Sequence, residues 1–230
     1  MGEVADRRAL VRARLACACA RAGRDGSSVT LVAVSKTHPA AAIRECYAAG
    51  QRDFGESYAQ ELAKKRAALA DLEGIRWHFI GALQSNKARL VVPGAAMIHA
   101  LDRASTAEAI AKRAQANGTT VDALVEVNVG GEASKAGLAP DGVESFVTRC
   151  ESLAGLAVRG LMCLPPNADD AEQARPFFQR LRELRDALRI RHPTLELLSM
   201  GMTHDFEVAI EEGATHVRVG TAIFGEREYR

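Results

Sequence analysis

Short apolar runs alternate with amphipathic segments along almost the whole chain. The apolar runs predict eight strands, and several are continuous rather than alternating, as in parallel strands covered on both faces. Segment 177–189 has a helical pattern, because Phe177, Leu181, Leu184 and Leu188 are spaced for one face and charged residues fill the others. The predicted strands lie at 31–35, 53–55, 76–80, 97–101, 123–129, 156–164, 195–199 and 216–219.

The pattern also predicts a helix ahead of the first strand, because Val4, Val11, Leu15 and Cys19 fall on one helical face. Strands that alternate with helices indicate βαβ units and a parallel sheet. Eight such units fit a closed barrel better than an open sheet, and a barrel commonly takes the whole of a chain this long. We therefore predict an α/β fold, a single-domain (β/α)8 TIM barrel over residues 1–230 with an extra N-terminal helix.

Helix ends and a further helix fit the same scheme. Gly50 and Gly213 lie where two helices are expected to end, directly before the second and eighth strands. Segment 143–153 repeats the helical spacing of apolar residues.

Charge and cysteine content narrow the class of protein. Thirty Lys and Arg against 29 Asp and Glu give a net charge of +1, which offers no electrostatic reason for a nucleic-acid or anionic-membrane partner. The five cysteines include no C-x-x-C pair, and no apolar run approaches the ~20 residues that span a bilayer. Glu3 and Asp6 argue against a transit peptide in the Arg- and Ala-rich N-terminus. We expect a cytoplasmic protein with reduced thiols and no metal site.

Lys36 follows the first predicted strand directly and is the first candidate for chemistry. Functional groups of such barrels gather at the carboxyl ends of the strands. Desolvation there would lower the pKa of the ammonium group and make the amine a usable nucleophile for an aldehyde. On position alone the more common behaviour is that the side chain extends to water at the barrel rim.

The last two strands run into glycine-containing turns with hydroxyl side chains, at 199–205 and 217–221. Glycine lets the backbone approach a ligand, and free amides at a helix start favour an anion. Phosphate sites in these barrels commonly form from the loops after strands seven and eight. The alternative is a pair of ordinary turns in which Thr203 caps a helix and Asp205 interacts with its dipole.

Arg218 alternates with apolar neighbours in the eighth predicted strand, so its side chain can point into the barrel. It can donate to a pyridine nitrogen and keep that nitrogen unprotonated, or form a structural ion pair with Glu56 or Glu126. The sequence does not choose between these roles. His78 lies inside an apolar run, and we interpret it as a hydrogen-bonded core residue rather than a base.

Several of these segments occur together, and in order, in one known family. The chain resembles the pyridoxal phosphate homeostasis protein family, whose proteins are similar to the N-terminal domain of alanine racemase. The resemblance extends from the first strand to the C-terminus. The matching stretches are Ala33-Val-Ser-Lys36-Thr, Phe54-Gly-Glu56, Trp77-His-Phe-Ile-Gly81, Leu83-Gln-Ser-Asn-Lys87, Arg159-Gly-Leu-Met162, Ser199-Met-Gly-Met202 and Val217-Arg-Val-Gly-Thr-Ala-Ile-Phe-Gly225.

The resemblance implies a fold-type III barrel that binds pyridoxal 5′-phosphate covalently, with the cofactor aldehyde on Lys36 as a Schiff base. It implies that Arg218 faces the pyridine nitrogen and that no residue is catalytic. The residues implied to surround the phosphate are Ser199, Met202, Thr203, Gly220 and Thr221.

This chain departs from the family pattern at two positions. The family usually has Ser at the position of Thr203 and Asn at the position of Ser57. Threonine keeps the hydroxyl, so we expect phosphate binding to survive. Ser57 is shorter than Asn, which leaves open its expected contact to the 3-oxygen of the cofactor.

Two functional classes compete. The family implies a non-catalytic, monomeric carrier that buffers pyridoxal phosphate or delivers it to PLP-dependent apo-enzymes. The alternative is an amino-acid racemase of the alanine racemase type, which needs acid/base groups on both faces of the substrate carbon. In those racemases the second base comes from an additional β-domain, and the sequence ends five residues after Gly225, so we expect the carrier. A sugar-phosphate or indole-type barrel enzyme is a third interpretation.

Overall fold

The computed structural model describes residues 2–132, 135–166 and 168–226. Its strands form a closed barrel in the order β1 to β8, and neighbouring strands are parallel throughout. The (β/α)8 TIM barrel predicted from the sequence is therefore confirmed. The strands are β1 (Thr30–Val34), β2 (Asp53–Glu56), β3 (Arg76–Phe79), β4 (Ala95–Leu101), β5 (Val121–Glu126), β6 (Leu156–Met162), β7 (Leu197–Met202) and β8 (His216–Val219).

A helix follows each strand, and one more helix precedes the barrel. The extra helix, α1 (Glu3–Arg21), buries Val11 and Leu15 and packs against the second, eighth and ninth helices. The predicted N-terminal helix is confirmed. The others are α2 (Ala40–Ala48), α3 (Ala59–Ala68), α4 (Ala88–Val91), α5 (Ala104–Ala116), α6 (Val143–Glu151), α7 (Arg175–Arg189), α8 (Phe206–Glu211) and α9 (Thr221–Phe224).

The observed strand ends lie within about two residues of the apolar pattern, except the C-terminal ends of β5 and β7, which differ more. Strand β7 begins later than predicted and continues through Gly201 to Met202, where the sequence suggested a turn. The pairing register of β7 with β8 shifts in the stretch from Ser199 to Met202. Gly201, which the sequence suggested as part of a turn, therefore lies in an irregular strand end. Strand β5 ends at Glu126 because Val127 pairs only in an isolated bridge.

The predicted helix ends are confirmed at two glycines. Gly50 and Gly213 directly follow the C-cap residues of α2 and α8, with φ of 91° and 98°. This left-handed conformation is the one that favours glycine after a helix.

The buried core consists of one large apolar cluster of strand and helix side chains, a smaller apolar cluster that includes Leu124 and Met162, and a set of buried polar residues. Buried polar residues also come from opposite strands: His78 on β3 and His99 on β4, Ser199 on β7 and Arg218 on β8. Because β4 and β7 are not neighbours, the contact between His99 and Ser199 crosses the barrel interior.

Among the described helices, none combines the length and the apolar character needed to cross a membrane.

Candidate functional site

A cavity of about 510 Å³ opens at the carboxyl ends of the strands, where barrels of this kind bind their ligands. This volume is in the range of small-molecule and cofactor sites. All but one of the residues that the sequence singled out for the cofactor line it. They are Lys36, Ser57, Met202, Thr203, Arg218, Gly220 and Thr221.

Lys36 reaches the cavity from a strained turn. The next residue, Thr37, has a φ of 70° and is the non-glycine residue with positive φ in the described part of the chain. A β-branched residue rarely adopts this conformation, so the surrounding structure must hold it. The Thr37 N–H donates to Glu61 Oε1 at 2.7 Å, which ties the turn to helix α3.

A buried ion-pair network lies directly beneath this turn. Lys65 Nζ donates to the Ser35 carbonyl at 2.6 Å, to Glu56 Oε1 at 2.7 Å and to Glu61 Oε1 at 2.7 Å. The Ser35 hydroxyl donates to the same Glu56 oxygen at 2.6 Å. Burial raises the pKa of Glu56, and Lys65 opposes that shift. The network fixes the end of β1 and therefore the backbone that carries Lys36.

The two glycine-containing loops are joined to each other. The Gly220 N–H donates to Thr203 Oγ1 at 3.3 Å, and the Met202 N–H donates to Asp205 Oδ1 at 2.6 Å. Gly201 has a φ of 91°, and a Cβ there would lie 2.5 Å from the Cβ of Ala209. Glycine is therefore required at this position, and the hydroxyl of Thr203 links the loops after β7 and β8.

Arg218 lies at the floor of the cavity and is held by neutral acceptors. Its Nη1 donates to Ser199 Oγ at 2.6 Å and its Nη2 to the Cys163 carbonyl at 3.0 Å. Burial lowers the pKa of the guanidinium, which nevertheless stays charged in proteins. Within the described residues Arg218 makes no ion pair with Glu56 or Glu126, the structural role left open by the sequence.

Ser199 is the site residue predicted from the sequence that does not line the cavity. Its side chain is fully buried and lies beside Arg218, with the hydroxyl 2.8 Å from His99 Nδ1. Strand β7 continues past Ser199 to Met202, which puts Ser199 deeper in the barrel than the turn predicted from the sequence. In this position it contacts Arg218, and Met202 and Thr203 reach the cavity instead.

His78 is a hydrogen-bonded core residue, as expected from its apolar surroundings. Its Nε2 lies 3.0 Å from Asp53 Oδ1 and its Nδ1 lies 2.9 Å from His99 Nε2. His99 and Asp53 were not predicted from the sequence. Both lie within or beside apolar strands, and a polar residue at such a position was the only available signal.

Glu126 is an acidic residue that faces the cavity. Its side chain is buried, and burial raises its pKa from 4.5 to about 7, with the Asp102 carboxylate adding to the shift. Lys135 also lines the cavity, but its Nζ donates to the Pro165 carbonyl and pairs with Glu132, each at 3.0 Å. The cavity thus combines two lysines, a buried arginine and a carboxyl group that titrates near neutral pH.

Comparison with known proteins identifies the family. The model of the family described as alanine racemase, N-terminal domain, matches residues 9–228. A pyridoxal phosphate homeostasis protein of Aquifex aeolicus is 48% identical over 225 residues, which cover 97% of this chain and 98% of that protein. The chain belongs to the pyridoxal phosphate homeostasis protein family. The Escherichia coli K12 protein of that name is 40% identical over 234 residues, which cover 100% of this chain and 99% of that one.

Solved structures agree with this assignment. PipY of Synechococcus elongatus with PLP bound has a TM-score of 0.85 at 38% identity, covering 97% of this chain and 100% of PipY. The alanine racemase of Streptomyces coelicolor has a TM-score of 0.70 at 20% identity and is covered over 58% of its length. This pyridoxal phosphate homeostasis family member is therefore similar, in sequence and in fold, to a relative whose structure contains bound PLP. With the alanine racemase it shares the fold.

Proposed function

We propose that this chain binds pyridoxal 5′-phosphate as a Schiff base on Lys36 and acts as a non-catalytic carrier that buffers the cofactor or delivers it to PLP-dependent apo-enzymes. The observation that carries the proposal is the convergence of Lys36, Arg218 and the loops after β7 and β8 on one cavity. An amine, a fixed cation and two linked loops with hydroxyl groups match an aldehyde, a pyridine ring and a phosphate. The residues present therefore fit this cofactor.

The covalent step needs only the amine and the aldehyde. The neutral Nζ of Lys36 attacks the aldehyde carbon, a C=N bond replaces the C=O bond, and the oxygen leaves as water with the two amine protons. The strained turn at Thr37 and the network around Lys65 support this role, because they fix the backbone on which the lysine stands.

Arg218 is proposed to donate to the pyridine nitrogen. A guanidinium does not give up its proton, so the ring nitrogen beside it stays unprotonated. An unprotonated ring holds carbanion charge poorly, but racemases of the alanine racemase type tolerate the same arginine, so this contact does not separate the carrier from the racemase.

The phosphate is proposed to lie against the linked loops, with Met202, Thr203, Gly220 and Thr221 around it. The hydroxyl of Thr203 and the backbone of Gly220 are the supporting polar groups. The deep position of Ser199 favours an indirect role for it, through Arg218. Ser57 lines the same cavity, and its contact with the 3-oxygen remains part of the proposal.

The names of the relatives support the carrier over the racemase. Proteins called pyridoxal phosphate homeostasis protein match this chain along almost their entire length, whereas the alanine racemase shares only the fold. We further propose that residues 1–230 form one domain and that the protein is a cytoplasmic monomer.

Absorbance of the purified protein tests the Schiff base. We expect a band at about 400–430 nm that borohydride abolishes and that Lys36→Ala lacks. Lys87→Ala and Lys135→Ala are matched controls and should keep the band, since Lys87 lies outside the cavity and Lys135 is engaged by Pro165 and Glu132. A band that survives in Lys36→Ala contradicts the assignment, and its loss in Lys87→Ala or Lys135→Ala would then identify the lysine that holds the cofactor.

Hydrogen exchange separates the carrier from the racemase. The holo-protein is incubated with L- or D-alanine in deuterated water, and deuterium at Cα is followed by NMR. The carrier predicts no exchange above that of free cofactor, together with transfer of the cofactor to an apo-enzyme. Exchange at enzyme-like rates would establish the racemase.

A further inference from the structure

A continuous hydrogen-bond chain crosses the barrel interior from its far end to the cavity. At the far end, Arg76 Nε donates to Asp53 Oδ1 at 2.7 Å, and these residues begin β3 and β2. The same Asp53 oxygen lies 3.0 Å from His78 Nε2, and His78 Nδ1 lies 2.9 Å from His99 Nε2. The chain then continues to Arg218.

The cavity end of the chain has equally short contacts. His99 Nδ1 lies 2.8 Å from Ser199 Oγ, which accepts from Arg218 Nη1 at 2.6 Å. His99 and Ser199 are fully buried, and His78 and Arg218 are nearly so. Because water cannot reach most of these groups, each donor needs an acceptor within the chain.

The two ends of the chain fix its direction. Arg218 can only donate, so Ser199 Oγ accepts from it and can donate its O–H to His99 Nδ1. Asp53 accepts: burial alone would raise its pKa, but hydrogen bonds from His78 and Arg76 lower it, and the Arg76 guanidinium beside it keeps the carboxyl group ionised. An ionised carboxylate therefore requires a proton on His78 Nε2.

The central contact between the two imidazoles then has one solution that satisfies every group. With Nδ1 of His99 accepting from Ser199, its Nε2 carries a proton and donates to His78 Nδ1. A second proton, on His78 Nδ1, would make His78 donate to His99 and His99 donate to Ser199. The Ser199 hydroxyl would then face two donors, His99 and Arg218. Its own proton would be left without an acceptor in this chain, which is unfavourable for a buried group.

We propose that Ser199, His99 and His78 are positioning residues for Arg218, in a chain whose donors all point from Arg218 towards Asp53 and whose histidines are both neutral and protonated on Nε2. The chain fixes the guanidinium at the cavity floor, while Asp53 and Arg76 anchor its other end. The direction of the chain is a property of the protein alone. The consequence for the cofactor rests on the proposed function, through the contact of Arg218 with the pyridine nitrogen.

Histidine tautomers in the wild-type apo-protein test the direction. Long-range ¹H–¹⁵N correlation spectra of ¹⁵N-histidine-labelled protein at neutral pH distinguish Nε2–H, Nδ1–H and doubly protonated rings. The signals are assigned by their loss in His78→Asn and His99→Asn. We expect Nε2–H on both rings. A proton on Nδ1 of His99, or two protons on His78, overturns the proposal without bearing on whether the protein binds pyridoxal phosphate.

Removing the serine hydroxyl tests the positioning role. In Ser199→Ala we expect the nitrogen signals of His99 to shift, the cofactor band to move and the dissociation constant for pyridoxal phosphate to rise roughly tenfold. Ser199→Thr keeps the hydroxyl and should restore all three. Thr106→Val is the matched control, since it removes another buried hydroxyl, which donates to the Leu83 carbonyl at 3.2 Å and takes no part in this chain.

The outcomes separate the two proposals. Unchanged band and affinity in Ser199→Ala, or equal changes in Thr106→Val, contradict the positioning role. If wild-type protein shows the expected tautomers but no bound cofactor, the proposed function fails and the direction of the chain stands. If Ser199→Ala does not fold, the wild-type spectra still decide the direction, and His99→Gln replaces it in the cofactor measurements.

Discussion

Single buried charges govern the surroundings of Lys36, and their effects are measurable one residue at a time. Lys65 is 6% exposed and is the cation that opposes Glu56 and Glu61 beneath the turn at Thr37. Taking charges out of water is costly, and a buried pair is tolerated only while both partners are present. The stability of the β1 end therefore depends on Lys65.

Lys65→Met should lower the free energy of unfolding by about 3–5 kcal/mol, because it leaves a buried carboxylate without its cation. Urea unfolding of the apo-protein measures the change. Lys64→Met is the matched control, an exposed lysine one position away, and should stay within about 0.5 kcal/mol. A loss in Lys65→Met as small as that of the control would show that the network does not support the turn.

Glu126 predicts a pH dependence of stability. Its pKa is about 7 in the folded protein, against an ordinary value of 4.5 for an exposed glutamate. Between these two pH values the folded state therefore binds more protons than the unfolded state. The free energy of unfolding therefore falls by about 1–3 kcal/mol as pH rises through this window, and it levels off at higher pH. Glu126→Gln should flatten the profile measured by urea unfolding of the apo-protein from pH 5 to 8. The exposed Glu183→Gln is the control and should leave the slope unchanged.

Sequence reasoning found the residues that lie at strand ends and missed those that meet across the barrel. Lys36 directly follows an apolar run, and Arg218 alternates with valines, so position along one strand was enough to bring both to the cavity. The pairing of His99 with Ser199 joins strands that are a hundred positions apart in the chain. The sequence around His99 gives no sign of Ser199, nor the reverse. The pattern of a single strand also does not show how deep in the barrel a side chain lies.

At the scale of elements, the loop after β7 depends on a glycine that the strand itself contains. Gly201 combines a φ of 91° with close approach to Phe206 and Ala209 of α8. The apolar pattern predicted the existence of β7 and α8, but it ended the strand too early, because a register shift against β8 is a property of two strands together. The eighth strand, which is the partner in that register shift, matched its prediction at both ends.

Gly201→Ala should destabilise the protein by more than about 1 kcal/mol and weaken pyridoxal phosphate binding, since the new methyl group would displace α8 and with it Met202 and Thr203. Gly74→Ala is the control: its φ is 74°, but a Cβ there would meet no atom within 4 Å. Gly74→Ala therefore introduces the backbone strain of a positive φ without the steric clash expected at Gly201. Equal losses of stability in the two variants, with unchanged cofactor affinity, would contradict the role of close packing at Gly201.

At the scale of the whole molecule, two separate networks of polar and charged side chains position the residues of one cavity. Charged side chains between β2 and α3 hold Lys36 from below, and the polar chain through the interior holds Arg218 from the opposite end of the barrel. The closed sheet keeps both supports at fixed distances, which an open sheet would not. The eight βα units were predictable from the sequence, because their periodicity is local, whereas the polar interior follows only from closure.

The central claim is that Lys36 is the amine that holds the cofactor. The most direct test is peptide mass spectrometry of the purified protein after incubation with pyridoxal 5′-phosphate and reduction with borohydride. The account predicts that the reduced cofactor is found on the peptide containing Lys36, at the side chain of that residue. An adduct found instead on Lys135 or Lys87, or no adduct on any lysine, would contradict it.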